Sequence, residues 1–230
     1  MNGFYAIAID GPSGAGKSSQ ARRLANSLGF IYVDTGAIYR CVGLAAYRRG
    51  IDRKDEEAVC ALLPELDIRM CYNEAGEQRM FLNAEDVSEA IRAPEISLCA
   101  SDVSAHARVR EYLLEMQRRL ARENNVIMDG RDIGTVVLPD AELKIFLTAS
   151  AEARAQRRLA EHRAKGLDIS FEQVLEDICR RDEQDMNRTA APLRQAEDAV
   201  LLDSSELDFE ATFEALTALV YTKLDMKGKA

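Results

Sequence analysis

Apolar positions along the chain follow two recurring patterns. Short, nearly unbroken apolar runs lie at 4–9, 30–33, 126–129, 143–147 and 200–203. Runs of this length become strands covered on both faces. Between them, apolar residues recur at three- and four-residue spacing, as on one face of a helix. These stretches cover 17–28, 35–49, 56–63, 95–103, 106–123, 150–163, 171–185 and 209–224. Ala21, Leu24, Ala25 and Leu28 carry the first apolar face, and Gly29 is the expected stop. Thr35 is the expected cap of the second helix. One region breaks the alternation. Residues 66–72 alternate apolar and polar, residues 73–77 are turn-like, and 79–82 read as a return strand. An antiparallel hairpin is therefore expected inside a subdomain at roughly 64–90. Strands separated by helices predict an α/β chain with a mostly parallel central sheet flanked by helices. Ligands of such sheets gather at the carboxyl ends of the strands, here Asp10, Asp34, Asp129 and the loops after them. The last residues, around Lys227, are expected to fray.

The first strand–helix junction holds the strongest chemical signal. Gly11, Pro12, Ser13, Gly14, Ala15, Gly16, Lys17 and Ser18 fit G-x-x-x-x-G-K-[ST], the phosphate-binding P-loop. Four fixed positions match by chance in such a chain roughly 1% of the time. Here a strand precedes them and a helix follows. Glycines let the backbone approach a phosphate, and the freed N–H groups form an anion nest at a helix N-terminus. Lys17 is expected on the β- and γ-phosphates, and the Ser18 hydroxyl on Mg²⁺. Asp129 ends a strand where P-loop proteins often place the acid that organises that ion.

Composition narrows the partner rather than the fold. The 230 residues are 47% hydrophobic and 30% charged, as in a globular protein of one domain. The net charge of −9 argues against polymeric nucleic acid and anionic membranes as partners. Anionic ligands must then be caught by local basic clusters. No apolar run approaches the roughly 18 residues of a membrane span. The N-terminus lacks a basic segment followed by a signal-type apolar core. Cys41, Cys60, Cys71, Cys99 and Cys179 are scattered with no C-x-x-C pair, and only two histidines are present. Reduced, buried thiols in a cytoplasmic protein are expected, without a zinc site.

The arginines point to a transferase. Transfer between two phosphate-bearing ligands needs charge neutralised on both. Arg40 and Arg131 follow strand ends, where an acceptor phosphate would lie. Arg154, Arg157, Arg181 and Arg188 flank a break at Lys165-Gly166, as the arginines of a closing lid would. Helical arginines also decorate solvated faces with i,i+4 partners, but Arg188 stands beside an Ala-Ala-Pro loop. An N-K-x-D guanine-recognition string is missing, which counts against a switch GTPase.

Four motifs in order then carry a specific resemblance. They are residues 9–17, residues 34–40 (Asp-Thr-Gly-Ala-Ile-Tyr-Arg), residues 129–137 (Asp-Gly-Arg-Asp-Ile-Gly-Thr-Val-Val), and Arg181-Asp182 with Asp185 and Asn187-Arg188. Together they resemble the bacterial cytidylate kinases over essentially the whole chain. The resemblance implies a P-loop NTPase fold with an inserted NMP-binding subdomain carrying a small antiparallel sheet and a short helical lid. On that pattern the core takes about 1–35, 103–150 and 195–230, the NMP-binding region about 36–102, and the lid about 151–194. It implies transfer of the γ-phosphoryl of ATP to CMP or dCMP, giving ADP and CDP or dCDP, in pyrimidine nucleotide metabolism, by a cytoplasmic monomer. Residues 11–19, ending in Ser18 and Ser19, would bind ATP with Arg157. Arg40 and Arg131 would hold the CMP phosphate. Ser101, Arg110 and Asp132 would read the cytosine edge, with Thr35 lining the pocket. Arg181 and Asp185 would contact the ribose, and Arg188 would bridge the phosphates. Lys17, Arg131, Arg181 and Arg188 would be catalytic.

Two positions depart from the family's habit. Lys17-Ser18-Ser19 replaces the usual Lys-Gly-Thr or Lys-Ser-Thr, and Thr35 stands where many relatives have Ser. Both changes keep a hydroxyl. The competing readings are a kinase for another small acceptor, such as another nucleoside monophosphate or shikimate, and a regulatory nucleotide-binding protein without transfer.

Overall fold

The structure, a computed structural model, describes residues 4–74, 76–164 and 166–224. The fraying expected near Lys227, the turn position Ala75 and Lys165 of the break lie outside them. The chain forms two compact units, one from residues 1–32 and 124–230, the other from 33–123. The segment 103–123, expected with the core, belongs to the second unit.

The first unit is built on a five-stranded sheet, of which only the last two residues of one edge strand are counted with the second unit. In chain order its strands are β1 (Ala6–Asp10), β2 (Ile31–Asp34), β6 (Val126–Gly130), β7 (Leu143–Thr148) and β8 (Val200–Asp203), arranged β2-β6-β1-β7-β8. Strand β1 runs parallel to β6 and β7, and β7 runs parallel to β8. Every residue of central β1 is buried, whereas β8 at the edge alternates half-buried and exposed positions. That contrast explains the unbroken apolar run at 6–9, since a strand covered on both faces has no solvent side to mark. Ile7, Ile9, Ile127, Ile145 and Leu147 pack with Leu24 of α1 (Lys17–Leu28) and Leu216 and Val220 of α8 (Phe209–Lys223). Helices α6 (Ala151–Ala164) and α7 (Phe171–Asn187) join through Ala155, Leu159, Val174 and Ile178. Ser170 and Gln173 close a reciprocal cap at the start of α7.

The second unit has its own core. Helices α2 (Thr35–Arg48), α3 (Glu56–Leu62), α4 (Pro94–Ser104) and α5 (Ala107–Glu123) surround Ile38, Val42, Val59, Ile96, Val103 and Leu113. Leu82 and Met80 of a small antiparallel sheet join the same cluster. That sheet holds the expected hairpin, β3 (Ile68–Tyr72) and β4 (Gln78–Leu82), plus a two-residue strand β5 (Glu85–Asp86) too short to show as a periodic run.

Three local expectations need correction. Asp34, not Thr35, caps α2: its carboxylate accepts from the Ala37 N–H at 3.0 Å, and Thr35 is already the first helical residue. The segment after Arg131, read as an irregular loop, forms one turn of π-helix at Ile133–Val137. The cysteines are all free, but Cys71 and Cys179 are exposed, and only Cys41, Cys60 and Cys99 are buried. Among the described residues, no helix is long and apolar enough to cross a membrane.

Candidate active site

In the first unit, the phosphate-binding loop leaves β1 at Asp10 and enters α1 at Lys17. Gly11 is irreplaceable on steric grounds. Its φ is +148°, and a Cβ there would lie 1.9 Å from the Leu147 carbonyl oxygen. The Lys17 side chain is buried and donates to the Pro12 carbonyl at 2.7 Å, folding back over the loop it belongs to. Burial, then the Arg131 guanidinium, pushes its ammonium down to about 7, against the pull of Asp129, Asp185 and Asp10. Ser18 donates to Asp129 Oδ2 at 2.7 Å, and the Tyr32 hydroxyl donates to Asp129 Oδ1 at 2.9 Å. The two residues expected near Mg²⁺ are therefore side by side. Ser19 is exposed on α1.

Asp10 does work that the motif does not advertise. Parallel pairing sets it beside Gly130, and its two oxygens accept from the Ile133 and Gly134 N–H groups at 2.8 and 2.7 Å. Burial raises its carboxyl to about 6 despite those two donors. The π-turn supplies both N–H groups, so Asp10 anchors the turn that begins directly after Arg131 and Asp132. Its place at the carboxyl end of an apolar strand was the signal that the sequence carried for it.

Arginines and carboxylates of this unit pair with each other. Arg131 Nε donates to Asp185 Oδ2 at 2.6 Å. Burial alone would raise the Asp185 carboxyl, but Arg131, with Arg188 and Arg181 beyond it, holds it below its usual range. Arg188 donates to the Ala191 carbonyl and reaches Asp132 Oδ1 at 3.5 Å. Thus Lys17, Ser18, Asp129, Arg131, Asp132, Asp185 and Arg188 form one electrostatic neighbourhood, to which Arg181 contributes its charge.

Two arginines of the expected lid segment, both on α6, have their partners within the first unit. Arg154 is buried and bonded to Asp182 and two backbone carbonyls. Arg157 donates to Ser204 and to the Leu207 carbonyl, in the loop after β8. Helical spacing could not reveal either, because both partners are distant in sequence. Arg158, which sequence reasoning did not select, reaches the Ser13 hydroxyl at 3.3 Å.

The second unit positions its candidates on helices. Arg40, on α2, lies 3.7 Å from the capping Asp34, with its side chain 28% exposed. Thr35 is buried at the start of the same helix. Arg110, on α5, is buried with its guanidinium 5.3 Å from the centre of the Tyr39 ring, and it donates to the Ser104 carbonyl. Ser101 stands half-buried on α4, one turn before Ser104.

Comparison with known proteins supplies the family. Residues 7–222 match the family model described as cytidylate kinase. A cytidylate kinase from Caldicellulosiruptor bescii is 51% identical over 215 residues, covering 94% of this chain and 95% of that protein. One from Syntrophotalea carbinolica is 48% identical over 220 residues, covering 96% of this chain and 93% of its own length. Among solved structures, an uncharacterized protein from Eubacterium ventriosum shares the fold with a TM-score of 0.54 at 12% identity, covering 95% of this chain and 98% of that one. With the phosphate loop, the π-turn and the whole of the second unit inside the matched span, the chain belongs to the cytidylate kinase family.

Proposed function

We propose that this protein transfers the γ-phosphoryl group of ATP to CMP or dCMP, giving ADP and CDP or dCDP. The observation that carries the reading is the pairing of a phosphate loop with a second set of arginines and carboxylates in the same unit. ATP hydrolysis or binding alone needs the first; a phosphorylated acceptor needs the second.

The loop N–H groups and Lys17 hold the β- and γ-phosphates, with residues 11–19 forming the donor site and Arg157 beside it. Arg40 and Arg131 take the acceptor phosphate. Asp132 accepts from the cytosine amine, while Arg110 and Ser101 donate to the ring acceptors and Thr35 lines the pocket. Uracil would present a carbonyl to Asp132, which a buried acceptor rejects. Asp185 and Arg181 bind the ribose, and Arg188 bridges the phosphates. Substrate binding then exchanges partners. Phosphate oxygens replace Asp185 on Arg131 and Asp132 on Arg188, while the freed carboxylates accept from the ribose hydroxyl and the base amine. No nucleophilic side chain is required, because positioning and electrostatics do most of the work.

Ser18 and Asp129 suit a hard divalent cation, since both offer oxygen and already lie 2.7 Å apart. Mg²⁺ keeps several waters and binds nucleotide oxygens, so two protein oxygens are an adequate share. When bound, the ion would neutralise charge on the β- and γ-phosphate oxygens. The α6–α7 segment acts as the lid, and the enzyme works as a cytoplasmic monomer.

A coupled ADP-release assay across CMP, dCMP, UMP, AMP, GMP and shikimate tests the reading. CMP and dCMP should give the highest turnover. Greater turnover on a purine nucleotide or on shikimate would reassign the acceptor. ATP binding with no acceptor-dependent ADP would make the protein a regulator.

A further inference from the structure

Arg154, on α6, is held by four side-chain hydrogen bonds. Its side chain is 5% exposed. Nε donates to the Ala149 carbonyl, just past β7, at 2.9 Å. Nη1 donates to the Ser13 carbonyl inside the phosphate loop at 3.1 Å. Nη1 and Nη2 meet Asp182 Oδ1 and Oδ2 at 3.0 and 2.6 Å, a two-pronged pair. The loop also packs on its stem: a Cβ at Gly14 would lie 3.3 Å from the Arg154 Cβ.

The geometry points to Arg154 as a positioning residue that ties the phosphate loop to helix α7. This inference rests on the phosphoryl-transfer reading above. Asp182 sits on α7 next to Arg181 and one turn before Asp185, and Arg188 follows the end of that helix. One guanidinium thus fixes a donor-site carbonyl and the helix that presents the ribose and phosphate contacts. The C=O and N–H of one trans peptide point in opposite directions. Holding the Ser13 carbonyl therefore sets the direction of the Gly14 N–H, one of the loop donors. A direct role on ATP is disfavoured, because turning toward a nucleotide would strip partners from two carbonyls and leave Asp182 unpaired in a largely buried position. The task suits Arg rather than Lys, since a planar fork meets a carboxylate with two bonds and still spans the carbonyls.

A double-mutant cycle on the full chain tests this, using Arg154→Lys, Asp182→Asn and the pair together. Turnover, KM for ATP, KM for CMP and the melting midpoint would be measured for each. Each single variant should lower kcat roughly 10- to 100-fold, the scale of a small misplacement, with smaller changes in both KM values. The double variant should be no worse than the worse single, because both substitutions break one tie. If Asp182→Asn stays within about twofold of the parent while Arg154→Lys collapses, or if the two losses multiply, Arg154 acts independently and the inference fails. Earlier melting with parental kcat measured well below the midpoint would leave the pair purely structural, which also overturns it. A parent enzyme with no CMP-dependent ADP release would instead sink the kinase reading. The same cycle would then be read in the affinity for a fluorescent ATP analogue, where non-additivity still supports the tie and additivity still breaks it.

Discussion

Arg131 and Arg40 have the same charge and the same proposed partner, an acceptor phosphate, yet the two units hold them differently. Arg131 is locked to Asp185 at 2.6 Å, with both side chains mostly buried at 22% and 16% exposure. Arg40 stands 3.7 Å from Asp34 and is 28% exposed, while Asp34 is already committed to capping α2. A tight, desolvated pair is expensive to break from one side and gives a fixed geometry. A loose pair at a helix start costs little to redirect. The first unit therefore presents a pre-set charge array, which on the proposed function a substrate would enter by exchanging partners. The second presents an arginine that can turn to the ligand it meets.

The sharpest way to break this contrast is Arg131→Met. It takes from Asp185 its hydrogen-bonded partner, leaving the more distant charges of Arg188 and Arg181, and removes a proposed phosphate ligand. We expect kcat/KM for CMP to fall on the order of 10³-fold, the scale of an arginine acting on transferring phosphate. Urea unfolding should show a loss of about 3–5 kcal/mol, as when one partner of a buried pair is removed. Parental stability with only a KM change would make the Arg131 pair as loose as that of Arg40.

Lys17 comes next. Lys17→Met should reduce kcat about 10²- to 10³-fold through lost charge stabilisation. Its pH behaviour separates the units further. The Lys17 ammonium falls from 10.5 in the unfolded chain to about 7 in the folded one. Between those values the unfolded chain binds the additional proton, so ligand-free stability should rise with pH, by up to about 1.4 kcal/mol per unit. The rise should vanish in Lys17→Met. Binding ATP restores the charge, so calorimetry in buffers of different ionisation enthalpy should show proton uptake near pH 7.5 or above, roughly half a unit past the midpoint. No uptake would mean that the buried ammonium is already charged without nucleotide.

Arg40→Lys should raise KM for CMP roughly tenfold, because the planar fork is lost, and shift unfolding by about 1 kcal/mol or less. A large stability loss would erase the distinction drawn here. Smallest is Asp34→Ala, which removes the α2 cap and should cost about 1 kcal/mol in thermal unfolding. If KM for CMP also falls, Asp34 is competing with the substrate for Arg40.

Much of this was readable without coordinates, and the reason is locality. The P-loop lies within eight consecutive residues, because a nest of backbone N–H groups is a local object. Helix and strand periodicity is equally local, which is why the element boundaries of α1, β7 and β8 match the apolar pattern within a residue or two. The cap of α2 was misassigned by one position because Asp and Thr are both good caps and stand side chain by side chain at 34 and 35. The π-turn at Ile133–Val137 was invisible, since its first two N–H groups are satisfied by Asp10, 123 and 124 residues away.

Sequence by itself thus determined the α/β class, the phosphate loop, the hairpin insert and, through four spaced motifs, the family. Tertiary structure alone decided which charges answer one another. Arg154 and Arg157 looked alike on one helical stretch, and only distant partners at Asp182, Ser13, Ser204 and Leu207 distinguish a tie to the phosphate loop from a clasp on the loop after β8. Charge pairing depends on distance and burial, and neither is encoded in the spacing of residues that the fold brings together from 28 to 141 positions apart.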